Sequence, residues 1–152
     1  MKKIFALAIF LLGAQSLSAH DRQSFDKGWL FTLADSAGMS KSDYSDRHWR
    51  SLNLPHDWAI EGDFSPSNPS GAGGGALPGG IGWYRKHFSV NPKEKYDRFT
   101  ITFDGVYMNS TVYINGHKLG TRPYGYSTFE YDLTPYINKK GHRGEGRQQR
   151  PA

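Results

Sequence analysis

Residues 99–116 read FTITFDGVYMNSTVYING. Phe99, Ile101 and Phe103 alternate with Thr100, Thr102 and Asp104. A period of two puts the three large apolar side chains on one face of a strand. Thr111, Tyr113 and Asn115 alternate in turn with Val112 and Ile114. Asn115-Gly116 then supplies the two residues that most readily adopt the left-handed geometry of a tight hairpin. The stretch therefore predicts a strand, a turn at Asp104-Gly105, a second strand, and a hairpin into a third that starts at His117. A chain committed to this pattern must bury one face of each strand, which calls for a second sheet.

The flanking segments carry the same period. Phe25, Trp29, Phe31 and Leu33 predict a first strand, and Trp49, Leu52 and Leu54 a short second one ended by Pro55. Trp83, Arg85 and His87 fall on the opposite face to Tyr84, Lys86 and Phe88. Arg85 among aromatics predicts a guanidinium held by stacking and by a carboxylate, a structural rather than a functional arginine. Asn91-Pro92 ends that strand and Lys93 to Asp97 is a charged turn. Phe129, Tyr131 and Leu133 alternate with Glu130 and Asp132 before a turn at Thr134-Pro135. With nine Tyr, nine Phe and four Trp, and frequent Gly and Pro, the expected class is an all-β sandwich in a single domain.

Taken in order, the blocks LNLPHDWAIEGDF (52–64), GWYRKHF (82–88), FDGVYMNSTVYINGHKLG (103–120) and YGYSTFEYDLTPYI (124–137) resemble the N-terminal sugar-binding domain of glycoside hydrolase family 2. The likeness covers roughly residues 24 to 138, and the PHDW block leans toward β-galactosidase-like members. It implies a jelly-roll, galactose-binding-like β-sandwich. It also implies a retaining glycosidase whose two catalytic Glu residues lie in a separate barrel domain. The Glu residues here (Glu61, Glu94, Glu130, Glu145) fall in loops, on strand exteriors or in the tail, so no catalytic residue is assigned and the chain alone is expected to be inactive. In β-galactosidase-like relatives an Asn after the Phe-Asp-Gly-Val block reaches the bound sugar. Counting back from Asn115-Gly116, the matching position is Tyr107. Tyr107 takes that role, or Asn109 does, or the contact is absent. Tyr124 and Tyr126 flank Gly125 in a second loop, and aromatic faces stack on sugar rings. Packing of the sandwich rim is the plainer use of the same rings. The candidate substrate-binding residues are thus Tyr107, Asn109, Tyr124 and Tyr126. A free-standing carbohydrate-binding module is the alternative.

Other chemistries find little support. His56-Asp57 resembles half of a hydrolase triad. Adjacent side chains diverge, however, and no Ser in a strained elbow accompanies them. The plainer expectation is a loop in which both bond backbone groups while Trp58 plugs the core. Seven of the twelve residues from Gly71 to Gly82 are Gly. That stretch lacks the Gly-Lys-Ser/Thr ending of a phosphate-binding loop, and a long mobile loop from 65 to 82 is expected. The chain has no Cys, which excludes disulfides and thiolate metal sites. No metal and no cofactor are expected.

The net charge of +5 is carried by the two ends. Residues 20–138 hold one more acidic than basic residue, so neither a nucleic-acid nor a membrane partner is expected. The expected partners are carbohydrate and the missing barrel and sandwich domains of the same enzyme. Lys2-Lys3, an apolar run from Ile4 to Leu12 and a small-residue stretch ending at Ala19 form a secretory signal peptide over 1–19. A secreted or periplasmic protein follows from it.

At the other end, relatives continue into a central strand resembling NVIAVRVDN, whereas this chain reads GHRGEGRQQRPA. A disordered basic tail over 139–152 is expected, which leaves the sandwich incomplete at its C-terminal end. Codons for Val-Ile-Ala-Val-Arg-Val-Asp-Asn-Ser-Ala-Pro, read one base early, spell residues 141–151 as they stand. A frameshift near residue 141 accounts for the tail, and nucleotide sequence lacking that stretch would sink the idea.

Overall fold

The computed structural model describes residues 21–91 and 98–137, together with the backbone of 142–150. The expected signal peptide and the expected charged turn after Asn91 lie outside the described residues. The elements are β1 (Trp29–Thr32), β2 (Arg50–Leu52), β3 (Gly80–Phe88), β4 (Thr100–Phe103), β5 (Ser110–Ile114), β6 (His117–Arg122), β7 (Phe129–Asp132) and β8 (His142–Arg150). Three short 3-10 turns accompany them, at Trp58–Glu61, Ala72–Gly74 and Thr134–Tyr136. Six strands form one antiparallel sheet in the order β2-β1-β3-β8-β5-β6, and β4 and β7 form a second. This is the all-β sandwich that the residue pattern predicts, of the jelly-roll class that the resemblance implies.

Local chemistry explains the elements. Asn115 and Gly116 take φ values of 50° and 83°, both left-handed, and turn β5 into β6. In β4, Thr100 and Thr102 face solvent while Ile101 and Phe103 turn inward. Phe103 stacks on Phe129 of β7, with ring centroids 5.1 Å apart. In β1, Trp29 and Phe31 are buried. Leu33, expected to extend that inward row, lies past the strand end and is exposed, because pairing with β2 and β3 stops at Thr32. Trp29, Phe31, Trp58, Ala59 and Tyr84 form the main buried cluster.

On the opposite face of the large sheet sits Arg85, with no exposed surface. Its guanidinium lies 4.7 Å from the Trp49 ring centroid and 5.8 Å from that of Tyr44. It donates to the carbonyls of Tyr44 (2.9 Å) and Met39, and its Nη1 lies 3.5 Å from Asp46 Oδ2. The loop from 36 to 49 is thereby wrapped around one cation. Asp46 also meets His87 Nε2 at 2.6 Å. The stacked, carboxylate-paired structural arginine expected from the sequence is what the fold contains.

Two expectations are corrected. The glycine-rich segment is bonded to itself rather than lacking regular structure. Ser65 N donates to the Ala76 carbonyl (3.1 Å), and Asn68 Nδ2 to the carbonyls of Ala76 (2.7 Å) and Asp63 (2.8 Å). Ser70 Oγ donates to the Leu77 carbonyl at 2.6 Å. These polar side chains meet backbone groups that glycine leaves open, and β3 begins at Gly80, earlier than Trp83. The second correction concerns the tail. Residues 142–150 form β8, paired with β3 from Gly80↔Arg150 to Phe88↔His142 and with β5 from Thr111↔Arg147 to Ile114↔Gly144. Apolar content was the wrong criterion there. β3 and β5 both present backbone donors and acceptors to the gap between them, and a stretch without proline completes both ladders whatever its side chains. What this strand lacks is apolar side chains, not backbone.

Replacing Arg85 by Met removes a buried cation and strands Asp46 and several carbonyls. The expected loss is about 3–5 kcal/mol, with Arg85→Lys also destabilised because an ammonium cannot bridge these partners in one plane. Urea midpoints of the three proteins check this.

Candidate functional site

The four candidate sugar-contacting residues come from two loops, 104–109 between β4 and β5 and 123–128 between β6 and β7. The sequence does not place these loops together; the fold does. Asn109 N donates to the Pro123 carbonyl at 3.3 Å, and Thr128 Oγ1 to the Asp104 carbonyl at 3.3 Å. At Gly125 the backbones cross so closely that a Cβ would sit 3.0 Å from Tyr107 Cα and 3.1 Å from Met108 N. Any side chain there would push the two backbones apart by a few tenths of an ångström, so glycine suits the crossing. Gly105 approaches the Gly125 carbonyl from the other side.

Tyr107 is therefore held against the segment that carries Tyr124 and Tyr126. The last two are 61% and 76% exposed and meet edge to face, with centroids 5.7 Å apart. Tyr107 is half-buried and lines the space between the two sheets. Asn109 is exposed, with φ of 59°. A left-handed Asn is uncommon and is supported here by the Pro123 bond. The result is a rim with two exposed phenol rings beside an amide, a combination suited to the apolar faces and hydroxyls of a sugar.

A second polar cluster sits on the large sheet. His56 does not pair with Asp57, whose carboxylate accepts from Ala59 N at 3.1 Å and caps the turn at Trp58–Glu61. Trp58 is buried, as expected of a core plug. His56 was expected to bond backbone groups, and this is corrected. Its Nδ1 lies 2.8 Å from Tyr84 Oη and its Nε2 3.1 Å from Glu61 Oε1. Arg50 Nη2 donates to Glu61 Oε2 at 2.6 Å and lies 3.2 Å from His56 Nε2. The spacing His56-x4-Glu61 was visible in the sequence. Its meaning was not, because Arg50 and Tyr84 arrive from β2 and β3. The Arg50 hydrogen bond first, and the His56 bond second, hold the Glu61 carboxyl below its ordinary value.

Of the described glutamates, Glu61 is engaged by Arg50 and His56. Glu130 accepts from Thr102 Oγ1 (3.1 Å) on the outer face of β4 and β7. Glu61 stands at the end of the turn Trp58–Glu61 and Glu130 on β7, each held by its own partners. Among the described residues no group of three His, Cys, Asp or Glu side chains is placed to hold a metal ion. Among them, too, no helix is long and apolar enough to cross a membrane.

Sheet order, the rim and the loop crossing define a jelly-roll domain with an exposed aromatic edge. Residues 76–145 match the model of the sugar binding domain of glycosyl hydrolases family 2. A β-galactosidase of Bacteroides ovatus is 59% identical over 121 residues, covering 80% of this chain and 14% of that protein. Among solved structures, a family 2 member from Bacteroides cellulosilyticus superposes with a TM-score of 0.79 at 38% identity, over 84% of this chain and 17% of that one. A β-glycosidase from Bacteroides vulgatus gives 0.76 at 50% identity, over 81% of this chain and 16% of that one. The chain belongs to glycosyl hydrolase family 2 and carries its sugar-binding domain. It spans about one seventh of the length of the curated relatives it matches.

Because the folded-state value of Glu61 is depressed, its contribution to stability is present above the ordinary carboxylate value of 4.5 and is lost as pH falls through the lower one. Glu61→Gln is expected to flatten the acid limb of a stability–pH curve below the ordinary value of 4.5 and to lower stability at neutral pH. Denaturant midpoints across that range measure both.

Proposed function

We propose that this chain is the N-terminal sugar-binding domain of an exported, β-galactosidase-like glycosidase. In this reading it positions the sugar and supplies no catalytic carboxylate. The observation that carries it is the crossing at Gly125, which gathers Tyr107, Asn109, Tyr124 and Tyr126 at one rim. Tyr124 and Tyr126 offer stacking faces, and the Asn109 amide and Tyr107 hydroxyl offer hydrogen bonds to ring hydroxyls. The 59% identity to a β-galactosidase favours a galactoside over other sugars. In this reading the acid/base and nucleophile glutamates belong to the rest of such an enzyme, because Glu61 and Glu130 are both engaged elsewhere. Export rests on residues 1–19, and fractionation of the producing cells tests it.

The chain is expected to bind β-galactosides weakly and to hydrolyse none. Stacking on one ring is worth about 0.5–1.5 kcal/mol, so Tyr126→Ala or Tyr124→Ala is expected to weaken binding roughly two- to tenfold. Titration calorimetry with a β-galactoside, alongside a chromogenic galactoside assay, decides it. Turnover by this chain alone contradicts the reading, and so does affinity unchanged in both variants.

A further inference from the structure

Between the two sheets lies a cavity of about 570 Å³. Trp29, Tyr84 and Phe88 line it from the large sheet, and Ile101 and Phe103 from the small one. The register explains why the sandwich is not filled there. Gly146 lies between Tyr84 and Val112, and Gly144 between Lys86 and Ile114. Cross-strand neighbours point to the same side of a sheet, so both positions fall on the face that Tyr84, Val112 and Ile114 turn toward the cavity. At the centre of the sheet that face carries two glycines, which fill nothing.

The same cavity holds an unusual polar atom. Ser110, at the start of β5, is 2% exposed and is among the lining residues. Its Oγ has no hydrogen-bond partner among the described residues. Buried hydroxyls are rarely left so, because they forfeit their bonds to water. A cavity of this size, walled by aromatic rings and carrying one unanswered hydroxyl, has the composition of a small-molecule site. The rings favour a flat apolar body, and the hydroxyl favours one polar atom on it.

We propose that the space between the sheets binds one small aromatic molecule bearing a single hydroxyl or N–H group, which bonds Ser110 Oγ. Tyr107 of the candidate sugar rim also lines this space, whereas Ser110 is no part of that rim.

The test titrates the full chain with phenol and, separately, with toluene, by calorimetry and by ligand-detected NMR. The expected result is saturable one-to-one binding of both, with phenol about tenfold tighter. Nuclear Overhauser contacts from phenol to the methyls of Val112 and Ile114 are expected as well. Ser110→Ala is expected to keep toluene binding and to erase the preference for phenol. Gly144→Val combined with Gly146→Val, which fills the space, is expected to abolish binding of both. Absence of saturable binding overturns the proposal, as do equal affinities in the unaltered chain or a phenol preference that survives Ser110→Ala. If the double valine variant does not fold, the unaltered chain and Ser110→Ala still decide the matter.

Discussion

One buried guanidinium organises the outer face of the large sheet. Arg85 stands on β3 beneath the loop from 36 to 49, and it is stacked by Trp49 and Tyr44. Carbonyls of that loop and the carboxylate of Asp46 meet its two terminal nitrogens. Taking such a charge out of water costs several kcal/mol, and only a full set of partners offsets that cost. The loop therefore has little freedom to be elsewhere. With it fixed, β1 and β2 keep their place beside β3, and the aromatic cluster of Trp29, Phe31, Trp58 and Tyr84 closes on the other face. An ammonium in the same position would serve fewer of these partners, since the planar fork reaches several acceptors at once.

Backbone and side chains make separate demands on a central strand, and β8 divides them. It completes the hydrogen-bond ladders of both β3 and β5, which is enough to hold the large sheet together. It does not supply the apolar volume that the space between the sheets calls for, because its core-face positions include Gly144 and Gly146. A cavity of about 570 Å³ is the geometric result. Packed interiors approach the density of organic crystals, so a space of this size forfeits many dispersion contacts.

The candidate sugar rim is built by a different device. Two loops far apart in the chain are locked by backbone contact at Gly125 and by bonds to the carbonyls of Pro123 and Asp104. Rigid support of this kind lets Tyr124 and Tyr126 stay exposed without collapsing onto the sandwich. The site consequently sits on loops yet inherits the stiffness of β5, β6 and β7, the arrangement that suits binding residues carried on a scaffold.

Local periodicity determined much by itself. The alternation at Phe99–Phe103 and Phe129–Leu133, the Asn115-Gly116 hairpin and the aromatic setting of Arg85 were all legible, because period-two burial and left-handed turns are written in neighbouring residues. The candidate rim residues were nameable one by one, Tyr107 and Asn109 through the family resemblance and Tyr124 and Tyr126 through their aromatic rings. Their meeting was not, since the crossing at Gly125 depends on which strands pair. The cluster of His56, Glu61, Arg50 and Tyr84 was hidden likewise, for its members come from β2, β3 and the turn between them. The tail shows the limit most plainly. Composition argued against a strand over 142–150, and only the unpaired ladders of β3 and β5 decided that one forms. Side-chain pattern speaks for what a segment can bury, whereas the backbone's need for partners is settled by neighbours that the sequence does not list in order.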